Sequence, residues 1–191
     1  MALDPTALFT LSYGLYVLTA REGDRDLGCI VNTVTQLTEN PTRIAVSVNK
    51  QNFTNEVIQR TGVFNVSVLT EAATMDLFRH FGFQSGRDVD KFAAMHLTAA
   101  PAAKLSTVLL EESPVNLECK VTQVIPLGSH DLFLAECVAV DVDEKLLDEN
   151  GKLCLNKAKL IVYSHGDYLA LGRKLGSFGY SVRKKKKPIK K

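Results

Sequence analysis

The sequence predicts a mainly β chain with short helices, most simply an antiparallel barrel or sandwich with helical excursions. Three observations point there. Stretches rich in β-formers recur along the chain: "FTLSYGLYVLTA" at 9–20, "RIAVSV" at 43–48, "VFNVSVL" at 63–69 and "VNLECKVTQVIPLG" at 115–128. Helices do not alternate with them in the regular rhythm that a parallel sheet needs. Turn signals such as "REGDRD" and Asn150-Gly151 fall between them.

Taken in order, 9–20 is a first strand and "LGCIVNTVTQL" (27–37) a second, joined as a hairpin through "REGDRD". "TENPTR" is a loop, because Pro41 cannot donate to a ladder. Residues 43–48 form a third strand. "TNEVIQRTG" (54–62) reads as a short helix capped by Thr54 or Asn55, with Gly62 just past its end. A fourth strand covers 63–69. In "EAATMDLFRHFG" (71–82), Met75, Phe78 and Phe81 recur at helical spacing with Leu77 beside them. "FGFQSGRDVDKF" (81–92) is a polar loop, and 97–113 reads equally as a helical turn or a short strand. From Val115 the β signal returns in three segments. Six to eight strands and two or three helices result, in one domain over residues 1–180 with a basic, disordered tail expected over 181–191.

Composition narrows the function classes. The chain has 191 residues, 46% hydrophobic and 23% charged, enough to bury a core of ordinary composition. No apolar run approaches the roughly 20 residues of a membrane span. "MALDPTALF" lacks a basic n-region, so a cytoplasmic protein with no membrane association is expected. Nine of the 23 Lys and Arg residues fall in the last 19 positions, which hold none of the 21 acids, so an acidic body carries a basic tail. That tail has no interleaved aromatics, and nucleic acid is not the expected partner. Cys29, Cys119, Cys137 and Cys154 form no C-x-x-C pair and read as small buried hydrophobes. His80, His96, His130 and His165 have no metal-like spacing, so no metal is expected. Rossmann, P-loop, nucleophile-elbow and zinc-protease motifs are absent.

Three polar clusters interrupt the apolar pattern. "SVNKQNFT" (47–54) turns polar where a core strand meets a helix start. A helix N-terminus offers free N–H groups and a positive dipole end, which suit a phosphate dianion. Lys50 would add a charge, Asn52 and Thr54 polar groups; a capped helix with a surface lysine is the plain alternative. "NTVTQ" (32–36) places an amide and hydroxyls within a strand, facing either solvent or the edge of a heteroaromatic ligand. "SGRDVDKF" (85–92) offers Arg87 and Lys91 to an anion. Together the three suggest a nucleotide site.

The ordered blocks "GCIVNTVTQLTENPTRIAVSVNKQNFTNEVIQRTGVFNVSVL", "FGFQSGRDVDKF", "SHDLFLAECV" and "LIVYSHGDYLALG" resemble the flavin reductase-like proteins of the FMN-binding split-barrel fold. The resemblance is to flavoredoxin-like proteins and the flavin domain of high-molecular-weight rubredoxins, over about residues 5–180. The resemblance implies an antiparallel split barrel that binds FMN as a homodimer, with NADH or NADPH as co-substrate and a redox protein as one acceptor. It implies that Asn32, Thr33, Val34 and Thr35 line the ring system and that Ser47 and Asn49 face the ribityl chain or ring edge. Lys50 and Thr54 would meet the phosphate, with Ser85, Arg87 and Lys91 as further phosphate and ribityl contacts and Tyr163 near the ring. His130 is the candidate catalytic residue, orienting substrate or donating a hydrogen bond; closing the turn at "GSHD" is its alternative role. The protein fixes and tunes a flavin that carries the chemistry. The function expected is therefore an NAD(P)H-dependent flavin reductase or electron-transfer flavoprotein, with a non-enzymatic FMN carrier or sensor as the alternative. The rubredoxin-fused members carry Cys pairs for iron, and this sequence encodes none.

Overall fold

The computed structural model describes residues 4–176. A 3-10 turn (Pro5–Thr10) leads into β1 (Tyr13–Gly14), β2 (Tyr16–Glu22) and β3 (Arg25–Val31). Next come β4 (Val34–Glu39), β5 (Thr42–Asn49), α1 (Phe53–Thr61) and β6 (Val63–Val68). α2 (Met75–Phe83) and α3 (Lys91–Met95) precede the small hairpin β7 (Ala99–Pro101) and β8 (Val108–Leu110). The long pair β9 (Val115–Leu127) and β10 (His130–Val142) follows, then α4 (Leu155–Ala158), β11 (Ile161–Ser164) and β12 (Asp167–Ala170). No helix among the described residues is long and apolar enough to cross a membrane.

Seven antiparallel strands form the main sheet in the order β3-β2-β6-β9-β10-β5-β4. The stretch 27–37, expected as one strand, is two. Pairing stops at Asn32 and Thr33, and the chain crosses there from one edge of the sheet to the other. The sheet curls until these edges approach. The Ser47 N–H donates to the Thr33 carbonyl at 3.3 Å, and Thr33 Oγ1 donates to the Ser47 carbonyl at 3.1 Å. This is a split barrel: the two edges meet through a crossing segment rather than a continuous ladder.

Burial on both faces explains why β2 carries no charged residue from Tyr16 to Ala20. Leu18 and Ala20 point into the barrel with Val46, Phe64, Val66 and Phe133. Val17 points outward, into a second core with Leu15, Phe78, Phe81 and Phe92. A strand buried on both faces loses the apolar–polar alternation of a half-exposed one. α1 closes the barrel with Val57 and Ile58, fully buried. Its N-cap is Asn52, upstream of the expected Thr54 or Asn55, and Gly62 ends it at φ +71°. Thr54 and Asn55 lie inside the helix with buried side chains. α2 starts after Thr74, whose Oγ1 accepts from the Leu77 N–H at 3.2 Å, so Met75 sits on the outer face, exposed rather than in the apolar stripe. The region 97–113 resolves as β7 and β8; of the polar loop 81–92, residues 84–90 are loop as expected, while its ends belong to α2 and α3. Twelve strands and four α-helices among the described residues exceed the expected count because short edge pieces add to the long strands. The basic run at 183–191 lies outside the described residues.

Candidate functional site

Where the barrel splits, a cleft of about 290 Å³ opens beside the Asn32–Thr33 crossing. One wall carries Asn32, Thr33, Ser47 and Asn49, and the β10 end adds His130. The opposite wall is aromatic: Phe78 and Phe83 from α2, Tyr163 and Tyr168 from the β11–β12 hairpin. Tyr168 stacks on Phe78 with centroids 4.6 Å apart, and Tyr163 lies 5.4 Å from Tyr168. A cleft lined by amides and aromatic rings suits a planar heteroaromatic group.

Asn52, Gly82 and Phe83 also line a second, smaller cleft of about 190 Å³, so the two adjoin. Thr54, Ser85, Cys29 and Lys91 are among its other lining residues. The α1 N-terminus faces this space, and the Asn52 side chain makes no capping bond, which leaves first-turn N–H groups without that partner. Lys91 is 4% exposed. Its Nζ donates to the Gly28 carbonyl at 2.9 Å and to the Phe81 carbonyl at 3.2 Å, and it meets no carboxylate within ion-pair distance among the described residues. Burial pushes its pKa down from the ordinary lysine value and pushes the Cys29 thiol up. A buried cation without a counter-charge, beside an uncapped helix start, has the charge and free N–H groups that suit an anion.

Not every expected site residue reaches these clefts. Val34 turns inward against the barrel core, and Thr35, its neighbour on β4, is exposed. Lys50 points away from both, with Nζ 3.6 Å from the buried Asp131 carboxylate. Arg87 lies outside, its guanidinium paired with Glu56 and stacked 4.5 Å over the Phe53 ring. Ser85 lines the smaller cleft, its Oγ accepting from the Arg87 N–H at 3.1 Å. His130 opens β10 opposite Asn49, with Nδ1 2.9 Å from Ser129 Oγ. The sequence reading missed Phe78, Phe83 and Tyr168. Aromatics at helical spacing read as core, and Phe78 and Tyr168 serve as both core and cleft wall.

The family model for the flavin reductase like domain matches residues 8–172. The chain belongs to the flavin reductase-like family. This flavin reductase-like chain is 42% identical over 132 residues to a high molecular weight rubredoxin of Moorella thermoacetica, covering 69% of this chain and 57% of the rubredoxin. It is 36% identical over 144 residues to a ferric-chelate reductase (NAD(P)H) of Archaeoglobus fulgidus, covering 73% and 82% of the two chains. Among solved structures, flavoredoxin of Desulfovibrio vulgaris (Miyazaki F) superposes with TM-score 0.85 at 25% identity, covering 96% of this chain and all of that one. The FMN-binding protein of Thermus thermophilus follows with TM-score 0.77 at 26% identity, over 93% and 96%. The chain thus spans little more than half of the rubredoxin, but the full length of the flavoredoxin.

Proposed function

We propose that this flavin reductase-like protein binds FMN and uses NADH or NADPH to pass electrons to an acceptor, working as a pair of chains in the cytoplasm. The observation that carries the reading is Lys91: a buried, uncompensated cation beside the α1 N-terminus, at the far end of a cleft walled by amides and aromatic rings. A flat ring joined by a short polar chain to a phosphate matches that sequence of surfaces. Lys91, Thr54 and the α1 N–H groups hold the phosphate; Asn32, Thr33 and Asn49 offer hydrogen bonds to the ring edge; Ser47 lies between. Bound FMN supplies the hydride and electron-transfer chemistry. His130, at the cleft rim, orients the nicotinamide or donates a hydrogen bond, and the aromatic wall excludes water. The 82% exposure of Phe83 beside the cleft supports an arrangement in which a second copy covers it.

The test is reconstitution with FMN, followed by absorbance and flavin-fluorescence quenching, and then anaerobic mixing with NADH or NADPH. Tight binding of FMN, lost in Lys91→Gln combined with Thr54→Ala, is expected. Bleaching of the bound flavin within a turnover time identifies a reductase, whereas binding without bleaching identifies a carrier or sensor. A folded protein that takes up no FMN overturns the flavin reading.

A further inference from the structure

On the barrel wall away from the cleft, two cysteines that are 18 positions apart in sequence stand directly opposite one another. Cys119 on β9 and Cys137 on β10 are partners in the antiparallel register. Opposed residues in such a pair have Cα atoms about 4.5–5.5 Å apart, within the span a disulfide bridges. Both thiols are free. Cys119 Sγ donates to the Leu117 carbonyl and Cys137 Sγ to the Ala139 carbonyl, each at 3.4 Å, and each thiol's ionisation responds first to the other: Cys119 lowers Cys137 to about 7, and Cys137 raises Cys119. Burial and the charge of Glu118 act against the Cys137 thiolate without reversing this. Lys104 is also near, its Nζ donating to the Val138 carbonyl at 3.1 Å, and the adjacent pair in the register is Glu136 with Lys120.

The two positions differ in access. Cys119 is fully buried, sandwiched between β6 and β10 opposite Phe64. Cys137 is only partly buried, and it sits where β10 loosens. β5 pairs with β10 only as far as Glu136, and the register with β9 shifts between Cys137 and Ala139. One thiol is reachable and ionisable at neutral pH; the other is shielded and stands directly opposite it in the register. That is the division between an attacking and a resolving cysteine.

We infer that Cys119 and Cys137 are a reversible dithiol–disulfide pair, a site oxidised by hydroperoxides. The Cys137 thiolate attacks the peroxide O–O bond, taking one oxygen as a sulfenic acid and releasing hydroxide. The Cys119 sulfur then displaces that oxygen as water, closing the S–S bond. The proton that Cys137 gave up neutralises the hydroxide. In sum two thiols and one hydrogen peroxide give one disulfide and two waters, and an external dithiol reverses the change. The second step is intramolecular, so the burial of Cys119 does not hinder it.

The experiment uses the full chain as purified under reducing conditions, without added flavin, so its outcome is independent of the flavin reading. The protein is exposed to dilute hydrogen peroxide, blocked with an alkylating agent and measured by intact and peptide mass spectrometry. Loss of two hydrogens, with a cross-linked peptide joining Cys119 to Cys137, is expected. Dithiothreitol should restore the mass, and Cys29→Ser and Cys154→Ser should behave as the parent does. Before oxidation, Cys137 should react with iodoacetamide at pH 7 at least about tenfold faster than Cys119 or Cys29. In Cys119→Ser, Cys137 should gain oxygen instead of closing a bond. Gain of oxygen at Cys137 in the parent without a linked peptide, linkage through Cys29 or Cys154, or no reaction at all would each overturn the inference.

Discussion

Asp131 accepts a hydrogen bond from Asn55 Nδ2 at 3.2 Å, and both residues are buried, at 3% and 0% exposure. Gln59 Nε2 reaches the same carboxylate oxygen at 3.0 Å, while Asn55 Nδ2 also donates to the Val48 carbonyl at 3.1 Å. These bonds fasten α1 to β5 and β10, and so fix where the helix N-terminus, with Asn52 and Thr54, meets the cleft. Asp131→Ala takes one acceptor from the buried Asn55 amide, which keeps its bond to the Val48 carbonyl, and one from the exposed Gln59 amide, and should cost about 2 kcal/mol of stability. It should also weaken FMN binding about tenfold below the unfolding transition, through the helix it releases. Lys50→Met removes only the exposed partner of the same carboxylate and should cost less than about 1 kcal/mol. Urea unfolding and FMN titration of both variants check this, and equal losses in the two would show that Lys50 is part of the site after all.

Phe83 separates site from core. Its side chain is among the most exposed apolar groups, yet it lines both clefts. Phe83→Ala should leave stability within about 0.5 kcal/mol, as surface truncations do. FMN affinity should fall about tenfold through lost contact with a flat ring. Thermal unfolding without flavin and a flavin titration measure the two effects separately. A large loss of stability in the flavin-free protein would place Phe83 in a packing role instead.

The strands were legible because β-formers and turn residues act locally: Gly62 at φ +71° ends α1 where the pattern says it should. The break at Asn32–Thr33 was not. Those residues continue a β-like sequence, and what stops the pairing is that the strands on either side of them join opposite edges of one sheet, β3 beside β2 and β4 beside β5. The polar clusters were visible as departures from the apolar pattern, but the cation that enters the cleft could not be chosen from them. Lys50, Arg87 and Lys91 are alike in sequence. Only the fold gives two of them the carboxylates of Asp131 and Glu56 and leaves the third buried without one. The Cys119–Cys137 pairing was hidden for the same reason, since it exists only through the β9–β10 register.

Glu118 organises the loop between β7 and β8. Buried at 2% exposure, its carboxylate accepts from the N–H groups of Ala103 at 2.8 Å and of Lys104 and Leu105, each at 2.9 Å. Three donors use both oxygens. Glu118→Gln presents its NH₂ to N–H groups on one side and should destabilise the protein by about 3 kcal/mol. Hydrogen exchange at 103–105 should accelerate more than in β9 itself, which measures loop release apart from global unfolding.

Lys91 links stability, flavin binding and pH with a definite sign. Burial lowers its pKa below the ordinary 10.5, so the folded protein gives up this proton at a lower pH than the unfolded chain. Between the two values the unfolded state binds more protons, and stability therefore rises with pH across that window and is flat below it. A phosphate dianion beside the ammonium favours the charged form and works the other way. FMN affinity should fall as pH climbs through the folded-state pKa, and the rise in stability should shrink when FMN is saturating. Lys91→Met removes the titrating group: the alkaline rise should vanish and FMN affinity should drop about a hundredfold, as for loss of a buried ion pair's partner. Two series of measurements decide it, urea midpoints and FMN dissociation constants of parent and variant from neutral pH to about 10.5, the ordinary lysine value. If the parent and Lys91→Met profiles run parallel in both series, the cation does not face the flavin phosphate.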